Sequence, residues 1–235
     1  FSNDLEDWSA FTGVGPAVYW FQDRVPGPEV IAHPDEPGQK VLKLNNPDPT
    51  NQLGDGATWN FPMGTQGRVT MRLQLNDNTK VADIQLTDRF LDPTDDSSSD
   101  VAIFNLRFND RGEIVGQEHL SISKNEWHEV AIEWDLGLSQ AAVFIDDVQI
   151  TTLPMLYNTA TGVSYLRLRS PFVHALDPDG WLVDWVDAEV TAIPSIFLDG
   201  DLNGDGFVGI TDLNIILSNW NQNTNPGDRA AGDLT

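Results

Sequence analysis

The chain has 235 residues, 36 of them acidic and 13 basic, for a formal net charge of −23. So negative a surface repels phosphate backbones and anionic membranes, which argues against nucleic-acid binding. The absence of cysteine rules out disulfide frameworks, thiolate metal sites and cysteine nucleophiles, and no apolar run reaches the roughly 18 residues of a membrane-spanning helix.

The chain opens on Phe1-Ser2-Asn3-Asp4 with no apolar targeting stretch; an export signal, where there is one, is expected to be cleaved or encoded upstream. Phe21 to Gln39 carries four prolines and reads as a long loop. Short strands are predicted at Val41–Leu44, Ala57–Phe61 and Arg68–Leu75, each alternating apolar and polar residues. Asp92 to Asp100, a run of Asp and Ser, reads as a second long loop. Strand patterns return over Asp100–Phe108, Glu113–Val115 and His119–Ile122, with Asn109-Asp110-Arg111-Gly112 as a turn.

Trp127–Trp134 and Ala141–Ile145 form the clearest hairpin, and Asp146-Asp147 is a two-residue connection into Val148-Gln149-Ile150. Tyr165–Arg169 and Trp181–Thr191 complete the set. Helical spacing is nearly absent before residue 200. Many short strands punctuated by Gly, Pro, Asn and Asp predict an all-β sandwich over residues 1–191, a linker at 192–199 and an appendage at 200–235.

That appendage begins with Asp201-Leu202-Asn203-Gly204-Asp205-Gly206-Phe207-Val208-Gly209-Ile210-Thr211-Asp212. Calcium takes six to eight oxygens, and a twelve-residue loop supplies them from alternate positions. Asp201, Asn203 and Asp205 hold the first, third and fifth positions. Gly206 makes the sharp turn, Phe207 offers its carbonyl, Gly209 leaves a vertex to water, and Asp212 closes the loop. Leu213, Ile216, Leu217 and Trp220 fall at i, i+3, i+4 and i+7, one apolar stripe of a following helix. Ca2+ is therefore the expected cofactor.

Eight tryptophans are enough to furnish both a core and sugar-stacking platforms. Trp127, Trp134, Trp181 and Trp185 sit in strand patterns and read as core. Tyr19, Trp20 and Trp59 lie nearer loops and are the ligand candidates. Arg167 and Arg169 share one strand face, a spacing able to hold a uronate carboxylate or a sulfate. The histidines, His33, His119, His128 and His174, fall in no nucleophile or metal spacing; His174 is retained as a ligand candidate.

Trp127-His128-Glu129-Val130-Ala131-Ile132-Glu133-Trp134-Asp135, followed by Val143-Phe144-Ile145-Asp146-Asp147-Val148, resembles the paired strands of the laminin-G/concanavalin-A-like jelly roll. Asp4 to Phe11 and Leu182 to Val190 resemble the first and closing strands of carbohydrate-binding modules with that fold. Gly200 to Trp220 resembles a type I dockerin repeat, and Gly232-Asp233-Leu234-Thr235 the opening of a second.

These resemblances imply a jelly-roll β-sandwich with a short calcium loop-helix appendage, in an extracellular or cell-surface protein. They imply polysaccharide or cell-surface glycan as partner, with a cohesin-like protein or copies of the chain itself as further partners. Asp4, Asp7, Asp184 and Asp187 are implied candidates for a second calcium. The Glu-x-Asp-x-x-Glu pattern of glycosidases on this fold is broken, because Leu138 stands where its second Glu belongs. The leading expectation is a secreted, non-catalytic glycan-binding or adhesive module. The alternatives are a subunit of an extracellular filament or surface assembly, and a polysaccharide lyase or glycoside hydrolase with an unrecognised site.

Overall fold

Where apolar residues alternate with polar ones, the chain is extended and buries one side. A computed structural model describes residues 28–46, 55–91, 102–159, 161–170, 177–193 and 210–218. The strands are β1 (Glu29–Ala32), β2 (Lys40–Asn46), β3 (Asp55–Gly64), β4 (Gln66–Leu75), β5 (Ala82–Thr87), β6 (Phe104–Phe108), β7 (Glu113–Ile114), β8 (Gln117–Ser121), β9 (Trp127–Asp135), β10 (Gln140–Ile145), β11 (Val148–Pro154), β12 (Val163–Ser170) and β13 (Asp177–Ala192). Among the described residues a helix, α1 (Ile210–Ser218), follows. The chain divides into two compact units, Phe1–Ile193 and Pro194–Thr235.

The strands of the first unit form two antiparallel sheets. Seven strands run in the order β1-β2-β13-β4-β9-β10-β11, and six in the order β3-β12-β5-β6-β7-β8. A single apolar core lies between them. Leu42, Leu44, Val69, Met71, Leu73, Val130, Ile132, Trp134 and Val183 come from the first sheet; Ala57, Trp59, Phe61, Ile84, Leu86, Phe104, Leu106, Leu166 and Leu168 come from the second. This is the all-β jelly-roll sandwich expected from the sequence.

Two strands go beyond the sequence reading. β1 lies inside the proline-bearing stretch read as loop. Val30 and Ile31 pair with Leu42 and Val41, and β1 is an edge strand, the place in a sheet where flanking prolines cost no ladder bond. β5 has no counterpart among the strands predicted from sequence, yet it is paired on both sides, to β12 and β6.

The Asp146-Asp147 turn follows the sequence reading. Both residues have positive φ, 49° and 65°, the conformation whose twist matches a two-residue hairpin. Asp146 also reaches back to β9: its carboxylate accepts from Glu129 N at 3.0 Å and contacts His128 Nδ1 at 2.8 Å. His128 thus serves the hairpin.

Near its start β13 crosses β2 closely at Gly180, where φ is +56° and a Cβ would stand 1.9 Å from the Leu44 carbonyl oxygen. Further on, β13 carries a β-bulge: Val183 pairs with Leu73 and Trp185 with Arg72, leaving Asp184 as the extra residue.

In the second unit, α1 forms where a helix was predicted behind the acidic loop. Its apolar stripe is less buried than the spacing implied. Ile210, Leu213 and Leu217 are exposed, while Ile215 and Ile216 are half-buried. A segment this short has little apolar surface to set against all sides of a helix.

Candidate functional site: the outer face of the seven-stranded sheet

Strand parity decides which side chains leave the core. On β4, Val69, Met71 and Leu73 point inward, so Gln66, Arg68, Thr70, Arg72 and Gln74 point outward. The register then builds rows across three strands. Glu189, Arg68 and Glu133 form one, Asp187, Thr70 and Ala131 the next, and Trp185, Arg72 and Glu129 the third.

Trp181 and Trp185 are four residues apart and would share a face on a regular strand. The extra residue at Asp184 reverses the parity. Trp181 is fully buried, whereas Trp185 is 37% exposed on the outer face. Trp127 also differs from expectation. It lies an odd number of positions from the buried Trp134 on β9, so the pleat turns it outward. Of the four tryptophans read as core, Trp134 and Trp181 are buried there; Trp127 and Trp185 belong to the outer face.

One end of this face is built by the segment that follows β1. His33 stacks on Trp127 with ring centroids 4.8 Å apart, and Trp127 Nε1 donates to Asp35 at 3.0 Å. Arg72 lies 5.1 Å over the same indole. It donates to Glu36 at 3.0 Å and to Asp184 at 2.8 Å. Hydrogen bonding to Glu36 is the main reason the Arg72 pKa lies above its ordinary value; burial opposes the shift and Asp184 adds to it.

His33, Glu36 and Asp184 bring ligand atoms within 4.8 Å of one another, but the hydrogen bonds do not suit a cation. His33 Nδ1 accepts from Asp35 N at 3.1 Å and Glu36 N at 3.0 Å, so the ring proton sits on Nε2, the atom that faces the carboxylates. Arg72 already occupies both carboxylates. The cluster is an ion-pair latch with a histidine donor.

The other end of the face opens into a cavity of about 350 Å³ lined by Gln66, Arg68, Glu133, Asp135, Gln140 and Glu189, among others. Arg68 Nη1 is 3.3 Å from Glu133 Oε2, and its guanidinium lies 4.7 Å over Phe144. Arg68 and Arg72 are four residues apart on β4, roughly 13 Å along the strand. A surface of this length, with an exposed indole at one end and polar groups along it, suits an extended hydroxyl-rich ligand.

The ligand candidates from sequence fall elsewhere. Trp59 is on β3 but buried at 6% exposure and packed with Phe61 in the core; its place in the alternation outweighs its nearness to a loop. Arg167 and Arg169 do share the outer face of β12, but both are fully buried. Arg167 donates to Gln85 at 2.7 Å. Arg169 lies 3.6 Å from Asp83, which also takes two bonds from Arg107. They belong to a buried polar layer of the six-stranded sheet rather than to an open anion clamp.

Tyr19, Trp20 and His174 lie outside the described residues. So do Asp201, Asn203, Asp205, Phe207 and Gly209 of the calcium loop, and the side chain of Asp212. Of the carboxylates implied for a second calcium, Asp184 is bonded to Arg72 and Asp187 stands exposed opposite Thr70; Asp4 and Asp7 lie outside the described residues.

No family model and no curated protein matches the chain. Solved structures do. A sialidase superposes with a TM-score of 0.53 at 12% identity, over 84% of this chain but 19% of its own. Chicken galectin 2 gives 0.39 at 13% identity, over 54% of this chain and 92% of its own. A legume lectin-like domain from Entamoeba histolytica gives 0.41 at 9% identity, covering 71% and 89%. At these identities the likeness to the sialidase is one of fold, and this chain spans about a fifth of that protein's length.

Proposed function

We propose that the sandwich is a secreted, non-catalytic module that binds carbohydrate on the outer face of its seven-stranded sheet. The observation that carries this reading is Trp185, turned out of the core by the bulge at Asp184 and set directly across from Arg72. An exposed indole stacks on the apolar face of a sugar ring while neighbouring carboxylates and guanidinium groups meet its hydroxyls. The fold likeness to part of a sialidase is in keeping with this.

Titration of immobilised and soluble polysaccharides against the chain and its Trp185→Ala variant tests the reading. Loss of roughly tenfold or more in affinity, with an unchanged far-UV circular dichroism spectrum, is expected. Equal affinity in the two proteins would remove Trp185 from the site.

For the second unit the proposal is a calcium clip. It is supported by the oxygen-bearing side chains of Asp201, Asn203, Asp205 and Asp212 at calcium-loop spacing and by α1 beginning at Ile210.

A further inference from the structure

The charges on the open face narrow the glycan reading, on which this inference rests, to one class of sugar. Arg68 lies between Glu133 and Glu189 in the register, and Arg72 is bonded to both Glu36 and Asp184. Asp187 and Asp135 lie on the same face opposite Thr70 and Gln66. Each arginine already answers a carboxylate, and carboxylates remain in excess. His33 adds a donor. Its Nε2, buried and without a hydrogen-bond partner, faces Glu36 and Asp184 at 3.9 Å from each, too far for a direct hydrogen bond. A hydroxyl accepting from Nε2–H and donating to either carboxylate would fill that gap once the half-exposed Glu36 side chain moves aside.

We propose that this face selects uncharged, hydroxyl-rich glycans and rejects those bearing carboxylate or sulfate. An incoming anion would have to displace Asp184 or Glu133 from an arginine while facing the remaining acids, and like charges brought together suppress binding. A neutral sugar uses the same carboxylates as acceptors for its hydroxyls, the free guanidinium N–H groups as donors and Trp185 as a platform.

The test is isothermal titration of the full chain with glucan, mannan, galactan and xylan, and with alginate, polygalacturonate, a sulfated galactan and a sialylated oligosaccharide, each with and without EDTA. At least one uncharged polymer is expected to bind roughly tenfold tighter than any anionic one. Glu133→Gln combined with Glu189→Gln is expected to move the ratio of anionic to uncharged affinity about fivefold toward the anion. Tighter binding of an anionic polymer in either buffer, or an unmoved ratio in the double variant, overturns the selectivity and leaves glycan binding standing. If a folded chain binds none of the polymers, both fall.

Discussion

At the scale of single residues, the most consequential side chain outside the open face is Asp83. It is fully buried, takes two hydrogen bonds from Arg107 and lies within ion-pair distance of the equally buried Arg169. Removing a buried charge from such a set leaves its partners uncompensated in a low-dielectric setting. Asp83→Ala is therefore expected to cost about 3–5 kcal/mol in chemical denaturation, against less than 1 kcal/mol for an exposed acid such as Asp187. Equal effects at the two positions would mean that the buried layer is not held by its charges. The sequence showed that Arg167 and Arg169 share a face but not that the face is buried. Alternation reports which residues lie together, not what covers them. Reading Trp127 as core overlooked its odd separation from Trp134, which forbids both from entering one core. Trp185 was legible in the same way: the core-facing positions move from Trp181 and Val183 to Val186, Ala188 and Val190, a change of parity that puts Trp185 with Asp187 and Glu189 on the outer face.

Among the elements, the hairpin of β9 and β10 was the most legible, and Asp146-Asp147 marked the two-residue turn from β10 into β11. Asp146 adds to the β9–β10 ladder by bonding His128 and Glu129 N. Burial pushes its pKa up, but the hydrogen bonds from His128 and Glu129 N outweigh this and hold it below the ordinary aspartate value. A carboxyl group depressed on folding contributes stability that is complete above its unfolded pKa and is lost as pH falls through the lower folded one. Melting curves are therefore expected to show an acid-induced loss beginning below about pH 4, and Asp146→Asn should remove part of it. A pH profile unchanged by that substitution would place the loss on other carboxyl groups. β5 escaped sequence reading for a related reason. It alternates as regularly as β4, but Asp83, Gln85 and Thr87 fill its outward positions, and a short strand half made of polar residues looks like a turn until its second face is known to be buried. β1 was hidden by the prolines around it.

At the level of the whole molecule, the two units invite separate tests. Calcium addition is expected to raise the thermal stability of the second unit and chelation to lower it, with Asp212→Ala abolishing the difference. Calorimetric traces that coincide with and without EDTA would refute the clip. Glycan affinity of the sandwich should not depend on that substitution.

The position of β13 has a consequence for how the molecule is made. The last strand of the sandwich does not sit at a rim; it is inserted between β2 and β4, pairing Val183 with Leu42 on one side and with Leu73 on the other. A nascent chain emerging from the ribosome therefore holds two unpaired ladders open until its final strand is released. Contacts so distant in sequence close slowly, so the interval before closure is when this chain is most exposed to mispairing with its neighbours.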